Sequence, residues 1–157
     1  MQIKKILFPT DISEGSAHAV PFVADLTQHY GARLCIIHVV YDIARVTGWH
    51  VPHVSMDEMY KDIETNALKE IEKCCIEELR GYKDIEYKVI KGVPHEEILK
   101  FAEENHIDMI IMGTHSRKGL DRVFFGSTAE RVVRNAKCPV LTVGSPALRK
   151  NADAEKK

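Results

Sequence analysis

Apolar and polar positions follow two alternating periods along this chain. Nearly unbroken apolar runs, rich in β-branched residues, stand at 3–8, 33–40, 107–112 and 138–143. Residues 85–90 instead alternate, with Ile85, Tyr87 and Val89 against Glu86 and Lys88. Runs of this length predict strands: 3–8 buried, 33–40 central and covered on both faces, 107–112 and 138–143 the fourth and fifth, and 85–90 an edge strand with one wet face. Between them, apolar residues recur at spacings of three and four, which predicts helices. The first helix spans about 13–30, with Ala17, Val20, Val23 or Ala24, and Thr27 inward and Gly31 at its end. Pro21 predicts a kink or a late start there. The second runs from a capping box at Ser55 and Glu58 to about Arg80, with Ile63, Ala67, Ile71 and Cys74 inward. The third starts on Pro94, carries Glu96 and Glu97 in its first turn, and points Ile98, Phe101 and Ala102 inward. The fourth opens at a second capping box, Ser127 to Glu130, and ends by Lys137.

The resulting order, β-α-β-α-β-α-β-α-β, predicts an α/β fold: an open, doubly wound, five-stranded parallel sheet in strand order 3-2-1-4-5, with helices on both faces. The expected ligand crevice lies where that order reverses, between the first and fourth strands. Residues 1–144 form the expected domain and 145–157 a flexible C-terminal tail.

A length of 157 residues suits one such domain. The net charge of −1 gives no electrostatic case for nucleic acid or membrane as a partner. No apolar run approaches a membrane span and the start is not a signal peptide. Cys35, Cys74, Cys75 and Cys138 form no Cys-x-x-Cys pair, so they read as core thiols of a reduced, cytoplasmic protein.

Candidate chemistry gathers at the reversal point. Pro9, Thr10 and Asp11 end the first strand, and Asp11 reads either as a ligand contact or as a turn residue satisfying local N–H groups. Met112, Gly113, Thr114, His115 and Ser116 end the fourth strand, and Gly126, Ser127 and Thr128 open the last helix. Glycine admits close backbone approach or positive φ, and a helix start offers N–H groups and a positive dipole end, so the stretch suits phosphate. Ser127 and Glu130 also explain each other as a cap without a ligand, and His115 reads equally as a phosphate contact or a solvated turn residue. His38 reads as a packed, hydrogen-bonded core histidine. The long 41–54 segment reads as a lid or a solvated loop, and His50 with His53 is weak evidence for a metal. No P-loop lysine is present, no catalytic set is assignable and no metal site is expected. Lys91 stands where a response regulator would carry an acid.

The segments KKILFPTDISEGS, RLCIIHVV and DMIIMGTHSRKGLDRVFFGSTAERVVRNAKCPVLTV resemble the universal stress proteins. The likeness covers nearly the whole chain. Gly113, Gly126 and Ser127 match that family's ATP-binding pattern, while Ser116 stands where the pattern has its second glycine. The resemblance implies that Asp11, beside Pro9 and Thr10, lies near adenine and ribose, and that the backbone of Val39 meets the adenine edge. It implies Met112 and Gly113 under the ribose and phosphates, with Gly126, Ser127 and Thr128 as phosphate donors. Serine at 116 supplies an N–H, at a cost of about 1 kcal/mol if φ must be positive. The resemblance further implies a homodimer through Val140, Leu141, Thr142 and Val143.

The expectation is therefore an ATP-binding, dimeric stress-response switch, with Mg accompanying ATP and a protein partner left open. A nucleotide-independent dimeric interaction protein and a weak ATPase are the alternatives. On the first reading, Ser127→Ala with Gly113→Val abolishes binding and leaves the fold.

Overall fold

The computed structural model describes residues 2–41, 56–75, 78–114 and 126–144. Its elements in chain order are β1 (Lys5–Pro9), α1 (Glu14–Ala17), α2 (Val20–Tyr30), β2 (Arg33–Tyr41) and α3 (Met56–Cys75). They continue with β3 (Ile85–Gly92), α4 (Pro94–Glu104), β4 (Met109–Gly113), α5 (Ser127–Asn135) and β5 (Val140–Val143). The strands form a five-stranded sheet in the order β3-β2-β1-β4-β5, all pairs parallel, as the alternation of periods predicts.

Side chains leave each inner strand on alternate faces, and both faces are covered. Ile6 and Phe8 of β1, Leu34 and Ile36 of β2, and Ile111 of β4 meet Val20, Val23 and Ala24 of α2 and Ile71 of α3. Leu7, Cys35, Ile37, Ile110 and Met112 meet Ile98, Phe101 and Ala102 of α4 and Ala129 and Val132 of α5. This double coverage is why these strands read as unbroken apolar runs. Leu7, Phe8 and Ile110 are fully buried, and each such side chain contributes on the order of 1.5–3 kcal/mol of transfer free energy.

Local chemistry explains most boundaries. Pro21 sits in the first turn of α2, where its missing N–H costs nothing, so the predicted first helix splits into α1 and α2. Gly31 ends α2 in the left-handed conformation, φ 59°, its N–H returning to Gln28 and Thr27. Pro94 starts α4 as expected, and Asn105 closes it. The predicted second helix ends early. α3 is described as far as Cys75, residues 78–81 form a turn in place of the predicted helix, and the Tyr82 N–H bonds the Leu79 carbonyl at 3.0 Å. Buried Leu79 and the Tyr82 hydroxyl, 2.7 Å from the Ala32 carbonyl, draw that turn onto the core. Ser55, the expected cap of α3, lies outside the described residues, as does the 145–157 tail. β3 is an edge strand, but its two faces differ little in burial: Ile85, Tyr87 and Val89 pack on one core cluster, while on the other face Ile90 packs on the second and the Lys88 ammonium lies 5.4 Å from the Phe101 ring centre.

The central pair β1–β4 carries a polar tie. One Asp108 carboxylate oxygen accepts the N–H groups of Lys4 and Lys5 at 2.8 and 2.9 Å, and the Lys5 ammonium donates to the Asn105 carbonyl at 2.9 Å. Among the described residues, no helix is long and apolar enough to cross a membrane.

Candidate functional site

At the carboxyl ends of β1 and β4, where the strand order reverses, the surface opens into a cleft of about 350 Å3. Pro9, Thr10, Asp11, Val39, Met112, Gly113, Gly126, Ser127 and Thr128 all line it. Residues far apart in sequence thus meet at one place, as the crevice rule for open α/β sheets requires. His115 and Ser116 lie outside the described residues, as do His50, His53 and the 41–54 segment beyond Tyr41. Tyr41, expected to begin that loop, instead completes β2.

The β1 end is held by its own polar groups. The Thr10 N–H bonds the Ile37 carbonyl at 2.9 Å, and His38 Nδ1 donates to the Thr10 carbonyl at 2.8 Å. His38 is therefore a hydrogen-bonded, half-buried histidine, in line with the sequence reading. The Ile12 N–H donates to Thr10 Oγ1 at 3.1 Å; that hydroxyl lies 2.9 Å from Ser16 Oγ, which donates to the Ser13 carbonyl at 2.9 Å. Asp11 Oδ1 accepts from the Ser13 N–H at 3.1 Å and from the Ser13 hydroxyl, so Asp11 does act as a turn residue. Its second oxygen makes no hydrogen bond to a described residue. Ile12 holds φ at 62°, a strained value for a β-branched side chain. Core contacts of its side chain and the Thr10 hydroxyl hold it there.

The β4 end corrects two expectations. Neither Gly113 nor Gly126 has positive φ; Gly126 is extended at φ −69°. Glycine is required at 113 by packing: a Cβ there would stand 2.8 Å from the Gly15 carbonyl oxygen and 3.0 Å from Ser16 Cα. Both are backbone atoms, so the expectation that Gly113→Val leaves the fold undisturbed is corrected: α1 or β4 must shift to admit the side chain. At 126 a Cβ would meet the Thr114 carbonyl oxygen at 3.0 Å, the atom that accepts the Gly126 N–H at 2.7 Å. Thr114 is in turn held by its own N–H to the Val143 carbonyl, 3.0 Å.

The second correction concerns the capping box. Gly126 is the N-cap of α5 and Ser127 its first helical residue. Glu130 therefore sits one position too late to return to the cap; it pairs with Arg134 at 3.0 Å instead and takes no part in the cleft. The exposed Ser127 hydroxyl makes no hydrogen bond to a described residue, and the N–H groups of Ser127, Thr128 and Ala129 have no intrahelical partner. This end of the cleft is rich in donors, and Asp11 is the sole carboxylate among the described lining residues.

The remaining lining comes from Ser16, Ile37, Tyr41, Pro94, Ile98, Thr114 and Ala129. Of these, sequence reasoning places only Thr114 in the candidate stretch and does not assign the others to the site. Period two along β2 from Val39 gives Ile37 and Tyr41, and one turn of α4 joins Pro94 to Ile98. Below the cleft floor, burial pushes the Cys35 thiol above its ordinary range, and the same cause raises Cys138. Both are free thiols; Cys35 is a core cysteine as expected, whereas Cys138 is only half-buried against the core. Among the described residues no group of three or more His, Cys, Asp or Glu could hold a metal ion.

Comparison with known proteins gives a consistent answer. The model of the universal stress protein family matches residues 2–144. Universal stress protein MJ0531 of Methanocaldococcus jannaschii is 38% identical over 149 residues, covering 91% of this chain and 83% of the relative. Universal stress protein MJ0577 of the same organism is 31% identical, covering 89% and 94%. The solved structure of MJ0577 superposes with a TM-score of 0.77, covering 92% of this chain and 98% of that one. A universal stress protein of Archaeoglobus fulgidus, solved in complex with dAMP, shares the fold at a TM-score of 0.58 and 21% identity, covering 90% and 98%. The chain belongs to the universal stress protein family.

Proposed function

We propose that the cleft binds ATP and that the bound nucleotide sets the state of a dimeric stress-response switch. One observation carries this reading: a hydroxyl with no hydrogen bond among the described residues and three N–H groups with no intrahelical partner at the start of α5 share a single cleft with an apolar wall from β2 and α4. That combination suits a ligand with phosphates at one end and a flat apolar group at the other. About 350 Å3 lies within the range of small-molecule sites. The dAMP complex of the Archaeoglobus fulgidus protein indicates that this fold accommodates an adenine nucleotide.

On this reading Gly126, Ser127, Thr128, His115 and Ser116 hold the phosphates. Met112 and Gly113 underlie the ribose, Pro9, Thr10 and Asp11 border ribose and adenine, and the Val39 backbone meets the base edge. Mg2+ fits as an ion carried by the nucleotide, because the free Asp11 oxygen is one carboxylate ligand and phosphates with water complete such shells. When bound, it neutralises phosphate charge. β5 lies at the sheet edge, and pairing Val140, Leu141, Thr142 and Val143 across a two-fold axis would cover it. A switch requires that ATP favour one of two states of the surrounding surface.

A specific observation favours a second reading, the nucleotide-independent interaction protein: backbone packing alone accounts for Gly113 and Gly126. Calorimetry on nucleotide-stripped protein separates the two. The expected result is one Mg-ATP site per chain at micromolar Kd, weakened tenfold or more in Ser127→Ala, about the worth of a hydrogen bond to a charged group. No heat at several temperatures, no thermal shift and no nucleotide carried through purification would refute the proposal in favour of the second reading.

A further inference from the structure

The apolar wall of the cleft ends in an aromatic side chain that the phosphate chemistry leaves unexplained. Successive odd positions of β2 face the cleft: Ile37 fully buried, Val39 half-buried, and Tyr41 50% exposed at the rim. In the β2–β3 register Tyr41 lies opposite Gly92, and Pro94, which also lines the cleft, stands two residues further along the chain. The rim thus carries an exposed phenol ring, with Pro94 also lining the cleft, above an aliphatic floor. Phe22 and Tyr30 are exposed to a similar degree but take no part in the cleft. A lone exposed aromatic elsewhere on the surface is ordinary. One aimed into a cleft with donors at its other end offers a flat ligand group a face to cover.

We propose that Tyr41 stacks on the nucleobase and supplies a large part of the site's affinity for it. The inference rests on the nucleotide reading above and adds a residue to it. Every base has a π-face, so a stacking tyrosine raises affinity for bases in general, while choice among them falls to groups at the base edge. Because the ring is half-exposed at a strand end, its removal leaves the buried layers untouched.

The test titrates Mg-ATP and Mg-tripolyphosphate into the parent chain and into Tyr41→Phe, Tyr41→Leu and Tyr41→Ala. Stacking predicts that Leu and Ala weaken ATP roughly 5- to 100-fold, the span measured for base–aromatic stacking. Phe stays within about twofold of the parent, because the π-face is kept. Tripolyphosphate binding is unchanged in all three. ATP binding by Tyr41→Leu equal to that of Tyr41→Phe overturns stacking and leaves the nucleotide site standing. Parallel losses for ATP and tripolyphosphate also overturn it, since Tyr41 then acts on the shape of the whole cleft. Absence of ATP binding by the parent chain overturns both this inference and the nucleotide reading.

Discussion

Replacing Gly113 by alanine tests whether packing rather than dihedral freedom demands glycine at the end of β4. The added Cβ would stand 2.8 Å from the Gly15 carbonyl oxygen and 3.0 Å from Ser16 Cα. Ordinary contact begins near 3.5 Å, so α1 or β4 must retreat by about half an ångström. Neither is loosely held. Ser16 is buried and bonded to both Thr10 and Ser13, while Gly113 pairs with Val143 in the sheet. Forced overpacking of this kind costs about 1–3 kcal/mol, which for a chain of this length lowers Tm by about 3–10 °C. The assay is thermal and urea unfolding of the nucleotide-free chain, beside Gly31→Ala as a control. Gly31 has open space around its missing Cβ but φ of 59°, so its cost is conformational, about 1–2 kcal/mol. Asparagine, which tolerates left-handed backbone, recovers part of the loss at 31 and none at 113. A Gly113→Ala protein within about 0.5 kcal/mol of the parent, or a rescue by Asn at 113, would refute the packing argument.

Other consequences are open to measurement. The Thr27 hydroxyl is fully buried with no hydrogen-bond partner among the described residues, so Thr27→Val should stabilise by about 1 kcal/mol and raise Tm by about 2–4 °C; a lower Tm would mean that the hydroxyl is satisfied. Asp108→Ala removes the acceptor shared by the Lys4 and Lys5 N–H groups and should cost about 1.5–3 kcal/mol in urea unfolding, a loss below about 0.5 counting against the tie. Burial raises the thiols of Cys35 and Cys138. In a Cys74→Ser, Cys75→Ser background, both should therefore label more slowly at pH 8 in the folded than in the unfolded chain, with buried Cys35 slower than Cys138. A raised folded-state value makes this contribution to stability complete below the ordinary thiol range, about 8.5. It is lost as pH rises through the folded values; equal labelling rates in the two states would contradict the burial.

Topology is legible because each strand and helix carries its own period, and because one order of parallel crossovers satisfies them all. The meeting of Asp11 with Gly113 comes from that order. What the sequence leaves ambiguous is local competition among groups that suit two roles. Ser127 and Glu130 have cap spacing, yet Gly126 takes the cap and Arg134 takes Glu130. Gly113 has the composition of a ligand loop, yet the backbone of α1 packed against it sets the upper limit on its size. Pro94 and Ile98 read as the start and the inward side of a helix, but their place in the cleft depends on which end of β2 that helix reaches. Periodicity carries no information about that. Tyr41 reads as loop because the last residue of a strand has the same local character as the first residue of a connecting segment.

The pairing of β1 with β4 also has a consequence in time. Ile6 and Leu7 meet Met109 and Ile110 across about a hundred residues of chain, and contacts of such separation close slowly because so much chain entropy is lost first. During synthesis β1 can lie beside β2 while its other edge waits for a partner that has not yet been made. Until β4 arrives, an apolar strand that is central in the finished sheet is exposed to pairing with other chains. Both halves of the cleft come together at that same late step. A chain cut short before β4 would therefore lack the site and carry an adhesive edge, and the appearance of the site would report that the sheet has closed.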